Sequence, residues 1–430
     1  MPAPVMLIEL NEVNFDLIAR YVDQGRLPTL GGLLARHGLA RTSSETRCED
    51  LEPWIQWVTA HTGQSLAEHG VFRLGDFVNS PAEQIWERLE ARGLTVAALS
   101  PMNAAHRLKA PSFFLPDPWT ATEITAPPLA RALYGAIRQA VNDNAQARIT
   151  AGSAAALAAG LVRFAAPRNY GRYTALAAGA GNAPWRKAMV LDLLLADLFR
   201  HLMRKGAADF ASLFLNGAAH IQHHYLHSCR VAATRGSNPP WYCPPGADPV
   251  FEVYDLYDRI VGQIAAAFPA HRLMIATGLH QEPHDEPVYY WRLKDHAGFL
   301  RRVGVTPRAV RPLMSRDMVI EFDTAASADE AAERLRSLRD LEGQGLFEVE
   351  NRGESLFAAF SYPYDIPSDF AYTAGNVLHR GLRDEVAFVA IKNGEHSGIG
   401  YFLDTGLAAD ALPREFALKT LPDRIMQACA

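Results

Sequence analysis

The segment VMLIELNEVNFDLIARYVDQGRLPTLGGLLAR, residues 5–36, decides the fold class. Its first six residues form a short aliphatic run of strand length, Asn11-Glu12 is polar, and residues 15–36 repeat apolar side chains at helical spacing with a break at Pro28. The same alternation recurs along the chain. Residues 95–99 follow a helical stretch near 81–92, residues 212–215 follow 185–205, and residues 272–276 follow 250–268. Strands that alternate with helices predict an α/β protein, a three-layer αβα sandwich around a mostly parallel central sheet. Ligands bind beyond the carboxyl ends of the strands in such a sheet. Four polar segments stand there: 9–14, 101–105, 216–227 and 277–284.

Two stretches break the alternation. Residues 121–181 are Ala-rich and helical in pattern, and they predict a helical insertion or cap. Residues 304–366 read as strand (318–322), helix (328–338), strand (346–350) and strand (355–362), a small α+β insertion. The core is then expected in 1–120, 182–303 and 367–430, with a Gly/Pro-rich surface loop at 235–248. The 430 residues are 49% hydrophobic and 21% charged, which excludes a disordered, collagenous or coiled-coil chain. A net charge of −5 is too small for a nucleic-acid surface and leaves small molecules as the expected partners. Cys48, Cys229, Cys243 and Cys429 are scattered without a CxxC pair, so neither a disulfide framework nor a thiolate zinc site is expected. No basic region precedes the first apolar run, and the stretches 151–166 and 190–199 are too short to span a bilayer. The expected location is cytoplasmic, with no membrane insertion.

Chemistry concentrates in histidines and carboxylates. In HIQHHYLH, residues 220–227, a helix would place His220, His223, His224 and His227 within an arc of about 100°. Neutral imidazole is a common ligand of zinc-like metals, although one helix seldom supplies four ligands. GLHQEPH, residues 278–284, brings His280 and His284 to the same sheet edge, and NGEHSGIG, residues 393–400, holds His396 on a Gly-punctuated turn. Glu9, Asn11 and Glu12 end the first strand and offer oxygen ligands. Glu9 and Asn11 are expected on one side and Glu12 on the other if the strand continues. Glu49, Asp50 and Glu52 precede a helix that Pro53 initiates, where acids also suit the helix dipole. Asn103, Asn216, His224 and His284, from the polar strand-end segments, are candidate substrate contacts.

Taken in order, five stretches resemble the alkaline phosphatase superfamily, especially its type I phosphodiesterase and nucleotide pyrophosphatase branch. They are the opening residues 5–38, WVTAHTGQSLAEHGVF (57–72), LFLNGAAHIQHHY (213–225), VYDLYDRIVGQI followed by LMIATGLHQ (253–264 and 273–281), and GEHSGIGYFLDTG (394–406). The resemblance implies an alkaline-phosphatase-like fold, a pair of zinc ions held by aspartates and histidines, and a Thr or Ser nucleophile. Residue by residue, the first aspartate falls on Asn11, the metal-helix histidine on His223 and the final-loop histidine on His396. The family's Asp-His pair falls on Gly278-Leu279 or Leu279-His280. The helix aspartate falls on Ala219, beside His220, and the nucleophile falls on Glu52 or Pro53. A covalent phosphoryl-enzyme route is therefore not expected.

What the resemblance still implies is a divalent metal, one or two ions, with zinc first and manganese or iron as alternatives. Its ligands are expected among Glu9, Asn11, His220, His223, His280 and His396. Glu52 or Glu12 would serve as general base for hydrolysis of a phosphoester or phosphodiester in a small anionic substrate by metal-activated water. The alternatives are a non-hydrolytic metalloenzyme (lyase, isomerase or transferase) and a catalytically inactive ligand-binding homologue.

Overall fold

Val5–Leu10 lies inside an eight-stranded sheet, buried along its whole length, in a computed structural model that describes residues 3–47, 50–142, 150–313, 316–375 and 377–430. Cys48 and Glu49 lie outside the described residues, as do 143–149 of the expected helical insertion. The strand order is Glu415–Ala417, Ala40–Ser43, Ile399–Asp404, Arg272–Ala276, Val5–Leu10, Phe210–Leu215, Val96–Leu99, Phe113–Leu115. Pairing is parallel from Arg272–Ala276 through Phe113–Leu115, and Ile399–Asp404 runs antiparallel to both of its neighbours.

The register sets the height of the functional edge. Leu10 pairs with Leu215 and Glu9 with both Phe214 and Ala276, so the three central strands end level. Their exits, beginning at Asn11, Asn216 and Thr277, open on one edge of the sheet. Alternation along the central strand feeds two cores. Met6, Ile8 and Leu10 pack with Phe15, Met189, Ile221 and Tyr254 on one face, while Val5 and Leu7 pack with Trp57, Trp86 and Ile425 on the other. Helices therefore cover both faces, and the chain is a three-layer α/β structure with a mostly parallel sheet.

Two compact units divide the chain. The first comprises 1–233, 240–283 and 394–430, and contains the eight-stranded sheet. The expected helical insertion folds within it as Pro128–Asn142, Ala151–Phe164 and Tyr170–Gly179, preceded by the short strand Phe113–Leu115. The second unit, 234–239 and 284–393, is wider than the 304–366 read from the sequence. It contains the foreseen strands and helix as Asp317–Glu321, Ala325–Arg336, Phe347–Asn351 and Ser355–Phe360, with Ala309–Pro312 completing an antiparallel sheet. Its own core also draws in Trp291, Phe299, Tyr372 and Val386, apolar residues on either side of the expected boundaries. Among the described residues no helix is long and apolar enough to cross a membrane.

Candidate metal centre

Glu12 leaves the central strand in the left-handed backbone region, with φ of 59°. That conformation is costly for a residue with a side chain, and the surroundings enforce it. The Asn11 amide donates to the Leu215 carbonyl at 3.0 Å and the Glu12 amide to the Thr277 carbonyl at 3.2 Å, so both neighbouring strands grip the turn. The strand does not continue, and the side chain of Glu12 turns toward that of Asn11, whose Nδ2 donates to Glu12 Oε1 at 3.1 Å.

Glu12 Oε2 faces two imidazoles. It lies 3.2 Å from His223 Nε2 and 3.2 Å from His396 Nε2, and these two nitrogens are 3.3 Å apart. Among the described residues this is the one group of three ligand-type side chains gathered closely enough to hold an ion. The donor set is two imidazole nitrogens and one carboxylate oxygen, a combination suited to zinc-like metals. Ligands about 2.0–2.1 Å from a tetrahedral ion stand about 3.3–3.4 Å from one another, close to the observed triangle. Among the described residues three ligands gather, the number that catalytic rather than structural zinc sites use. The residues present therefore fit a divalent ion. Burial pushes the Glu12 carboxyl up, but the facing imidazoles of His223 and His396 outweigh it and hold the group well below the usual carboxylate range.

A polar cradle fixes the carboxylate from behind. Gln281 Nε2 donates to Glu12 Oε2, and Gln222 Nε2 donates to the Glu12 carbonyl at 2.7 Å. Tyr254 in turn donates to Gln222 Oε1 at 2.5 Å, and Asn14 Nδ2 donates to the Gln281 carbonyl at 3.0 Å. Gln222 and Gln281 are fully buried. His223 and Gln222 sit on the helix Gly217–Tyr225, whose first amide donates to Asp192 Oδ2 at 2.8 Å. Tyr257 donates to the same oxygen at 2.5 Å and accepts from the Ala218 amide at 3.0 Å. Burial pushes Asp192 up to about 6. His396 is the penultimate residue of the strand Val386–Ser397; Gly394, two residues before it, must be small because a Cβ there would collide with Gln281 Oε1 and stand 2.9 Å from Leu226 Cδ1.

The other expected site residues are placed as follows. Asn11 is saturated: its Oδ1 accepts from Trp57 Nε1 at 2.7 Å and its Nδ2 also donates to Asn216 Oδ1 at 2.7 Å. Asn11 thus orients Glu12, and Asn216 orients Asn11. Glu9 lies buried against His61, 2.8 Å away, with the Trp86 ring over that imidazole, and does not join the three. His280 is buried, donates through Nδ1 to the Ile399 carbonyl at 2.5 Å, and has Nε2 3.2 Å from Glu282. It stays outside the triangle because residues 280–293 form a strand, so that Gln281, its neighbour on the alternate side, meets Glu12. His220 and His224 pair with each other, ring centroids 4.9 Å apart, one turn of helix on; His220 is exposed. His284 belongs to the second unit. Asn103 is consumed as a loop staple, its Oδ1 accepting from the Gly75 and Phe77 amides and its Nδ2 donating to the Trp54 and Arg73 carbonyls.

Glu52 occupies the N-cap of Pro53–Thr62 without a side-chain capping bond. Its Oε2 lies 3.9 Å from His396 Nδ1, the ring nitrogen turned away from the triangle, and the carboxylate is 37% exposed. Gln222, Gln281, Tyr254 and Trp57 were not foreseen; only the alternation along 280–293 and the helical phase of 217–225 could have marked the two glutamines.

No protein-family model matches the chain, and no curated protein sequence matches it. Among solved structures it is similar to phosphonoacetate hydrolase from Sinorhizobium meliloti 1021 in complex with phosphonoformate, with 12% identity over 100% of this chain and 96% of that one and a TM-score of 0.48. It is similar to murine ectonucleotide pyrophosphatase/phosphodiesterase 5, with 10% identity, 99% and 95% coverage and a TM-score of 0.44. A third similar structure is wild-type alkaline phosphatase PafA, with 11% identity, 100% and 96% coverage and a TM-score of 0.46.

Proposed function

We propose that the chain is a metal-dependent enzyme that hydrolyses a phosphoester or phosphodiester bond in a small anionic molecule. The observation that carries the proposal is the triangle of Glu12, His223 and His396, three converging ligand atoms at a strand-end edge. When bound, a divalent ion of the zinc type supplies Lewis acidity toward an anionic oxygen and toward water. Glu12 remains ionised as a ligand and is committed there by Gln281 and Asn11. That leaves Glu52 as the proton acceptor. Its carboxylate is exposed enough to meet an incoming water and stands beside the ring edge of His396. The same closeness lets Glu52 favour the His396 tautomer whose Nε2 lone pair points into the triangle.

The hydroxyls of the helix that Glu52 caps support hydrolysis without a covalent intermediate. Thr62 Oγ1 donates to the Val58 carbonyl at 2.7 Å and Thr59 Oγ1 pairs with His69 at 3.3 Å, both inside the helix. Mass spectrometry after turnover is expected to show no phosphoryl group on either residue. The deciding experiment is elemental analysis of the purified chain together with a panel of phosphate mono- and diesters. About one ion per chain and metal-dependent turnover are expected; under about 0.2 ion per chain, unrescued by Zn, Mn or Fe, ends the proposal.

A further inference from the structure

The first unit carries a cleft of about 590 Å³ lined by the helices Tyr170–Gly179, Arg186–Lys205 and Pro249–Ala267 and by the short turn Pro167–Asn169. None of Glu12, His223 and His396 lines it. Its charged lining is unbalanced: among the described residues it holds the guanidiniums of Arg168, Arg172, Arg186 and Arg259 and the carboxylates of Glu252 and Asp255. Glu252 is fully engaged, accepting from Arg186 Nε at 2.8 Å and Nη2 at 3.1 Å and from the Trp185 indole at 3.1 Å. Asp255 is shared between Arg259, at 3.0 Å, and Arg172, at 3.3 Å. Arg168 makes no ion pair among the described residues. Burial, and then the charge of Arg259, both weaken the hold of Arg172 on its proton, and burial and then Arg168 do the same to Arg200.

Like charges gathered in a partly buried cleft are unfavourable unless a counter-charge arrives. Guanidiniums present forked donors that match the oxygens of phosphate. The cleft also has apolar walls in Leu176, Met189 and Phe251. Its volume falls in the range of about 300–1,000 Å³ typical of sites for organic ligands. The excess of two positive charges matches a dianion.

We infer that this cleft is a second ligand site, separate from the metal centre, for an organic phosphate monoester. The dianionic phosphate sits on Arg168 and Arg172, and the apolar body lies on Leu176, Met189 and Phe251. The site is independent of the reaction proposed above and needs no ion.

The test is calorimetric titration of the full, metal-stripped chain with phenyl phosphate, with phenol and inorganic phosphate as partial probes. The expected result is saturable binding of phenyl phosphate, at least about tenfold tighter than of either partial probe and weakened by salt. The variant H223A should bind equally well, and the double variant R168Q/R172Q at least about tenfold more weakly. The single variant R168Q, at an exposed position, should weaken binding without altering the melting temperature, which keeps the test decisive if the double variant folds poorly. The inference is overturned by any of four results: no binding up to about 10 mM, equal affinity for inorganic phosphate, wild-type affinity in R168Q, or loss of binding in H223A.

Discussion

The helix Gly217–Tyr225 is held toward its two ends by buried carboxylates that burial raises alike but whose partners leave them on opposite sides of the usual range. At its N-terminus Asp192 accepts bonds from the Gly217 amide and the Tyr257 hydroxyl, and burial pushes it up to about 6. Beside its later turn Glu12 is equally buried, yet the imidazoles of His223 and His396 hold it well below the carboxylate range. Neutral donors satisfy hydrogen bonds but do little to replace the solvation of a full charge. Groups able to carry positive charge do so. Asp192 is therefore an anchor that can accept a proton, whereas the setting of Glu12 preserves a negative charge where a cation can meet it.

The sharpest way to break this contrast is Glu12→Gln, which keeps the shape and removes the charge. Metal affinity measured by chelator competition should fall by more than about 100-fold, beyond the loss typical of outer partners. An unchanged affinity would mean that Glu12 is no ligand. Glu52→Gln tests a third carboxylate, one that is partly solvated. Turnover at saturating metal should fall about 10²- to 10⁴-fold while the ion count per chain is kept; full activity would remove Glu52 from the chemistry.

Gln281→Leu leaves all three ligand side chains in place and strips the cradle. It should cost about 10- to 100-fold in metal affinity with turnover recovered at high metal. The smallest effect is expected at the other end. Because Asp192 is raised from 3.8 to about 6 in the folded chain, it contributes stability that is complete below pH 3.8 and is lost as pH rises through about 6. Asp192→Asn should remove that fall, by no more than about 3 kcal/mol in denaturant titrations between pH 4 and about 7, without changing the ion count. A pH profile that does not change in the variant would show that the carboxyl is ordinary.

The run 5–10 was legible because every position but Glu9 is aliphatic, as a fully buried parallel strand favours, and the next element switches to helical spacing. Strands of three or four residues, such as Phe113–Leu115 and Glu415–Ala417, carry too few positions for any period to show. In the segment HQEPHDEPVYYWRL two prolines and four charged residues mask the alternation of a strand. That is why His280 was expected at the centre and Gln281 was not. Glu12 was expected on the opposite side from Asn11 for a related reason: periodicity assumes a continuing strand, and the positive φ ends it. The phase of the helix Gly217–Tyr225, which turns His223 inward and leaves His220 exposed, depends on what packs beneath it.

The three converging side chains come from positions 12, 223 and 396. Closing the triangle thus requires the central strand Val5–Leu10, the helix Gly217–Tyr225 and the strand Val386–Ser397 to be in place together, a set of very long loop closures. An ion captured there cannot act as an early template for the chain, since no two of its ligands are neighbours in sequence. It can only reward a topology already completed, and so it should slow unfolding far more than it speeds folding.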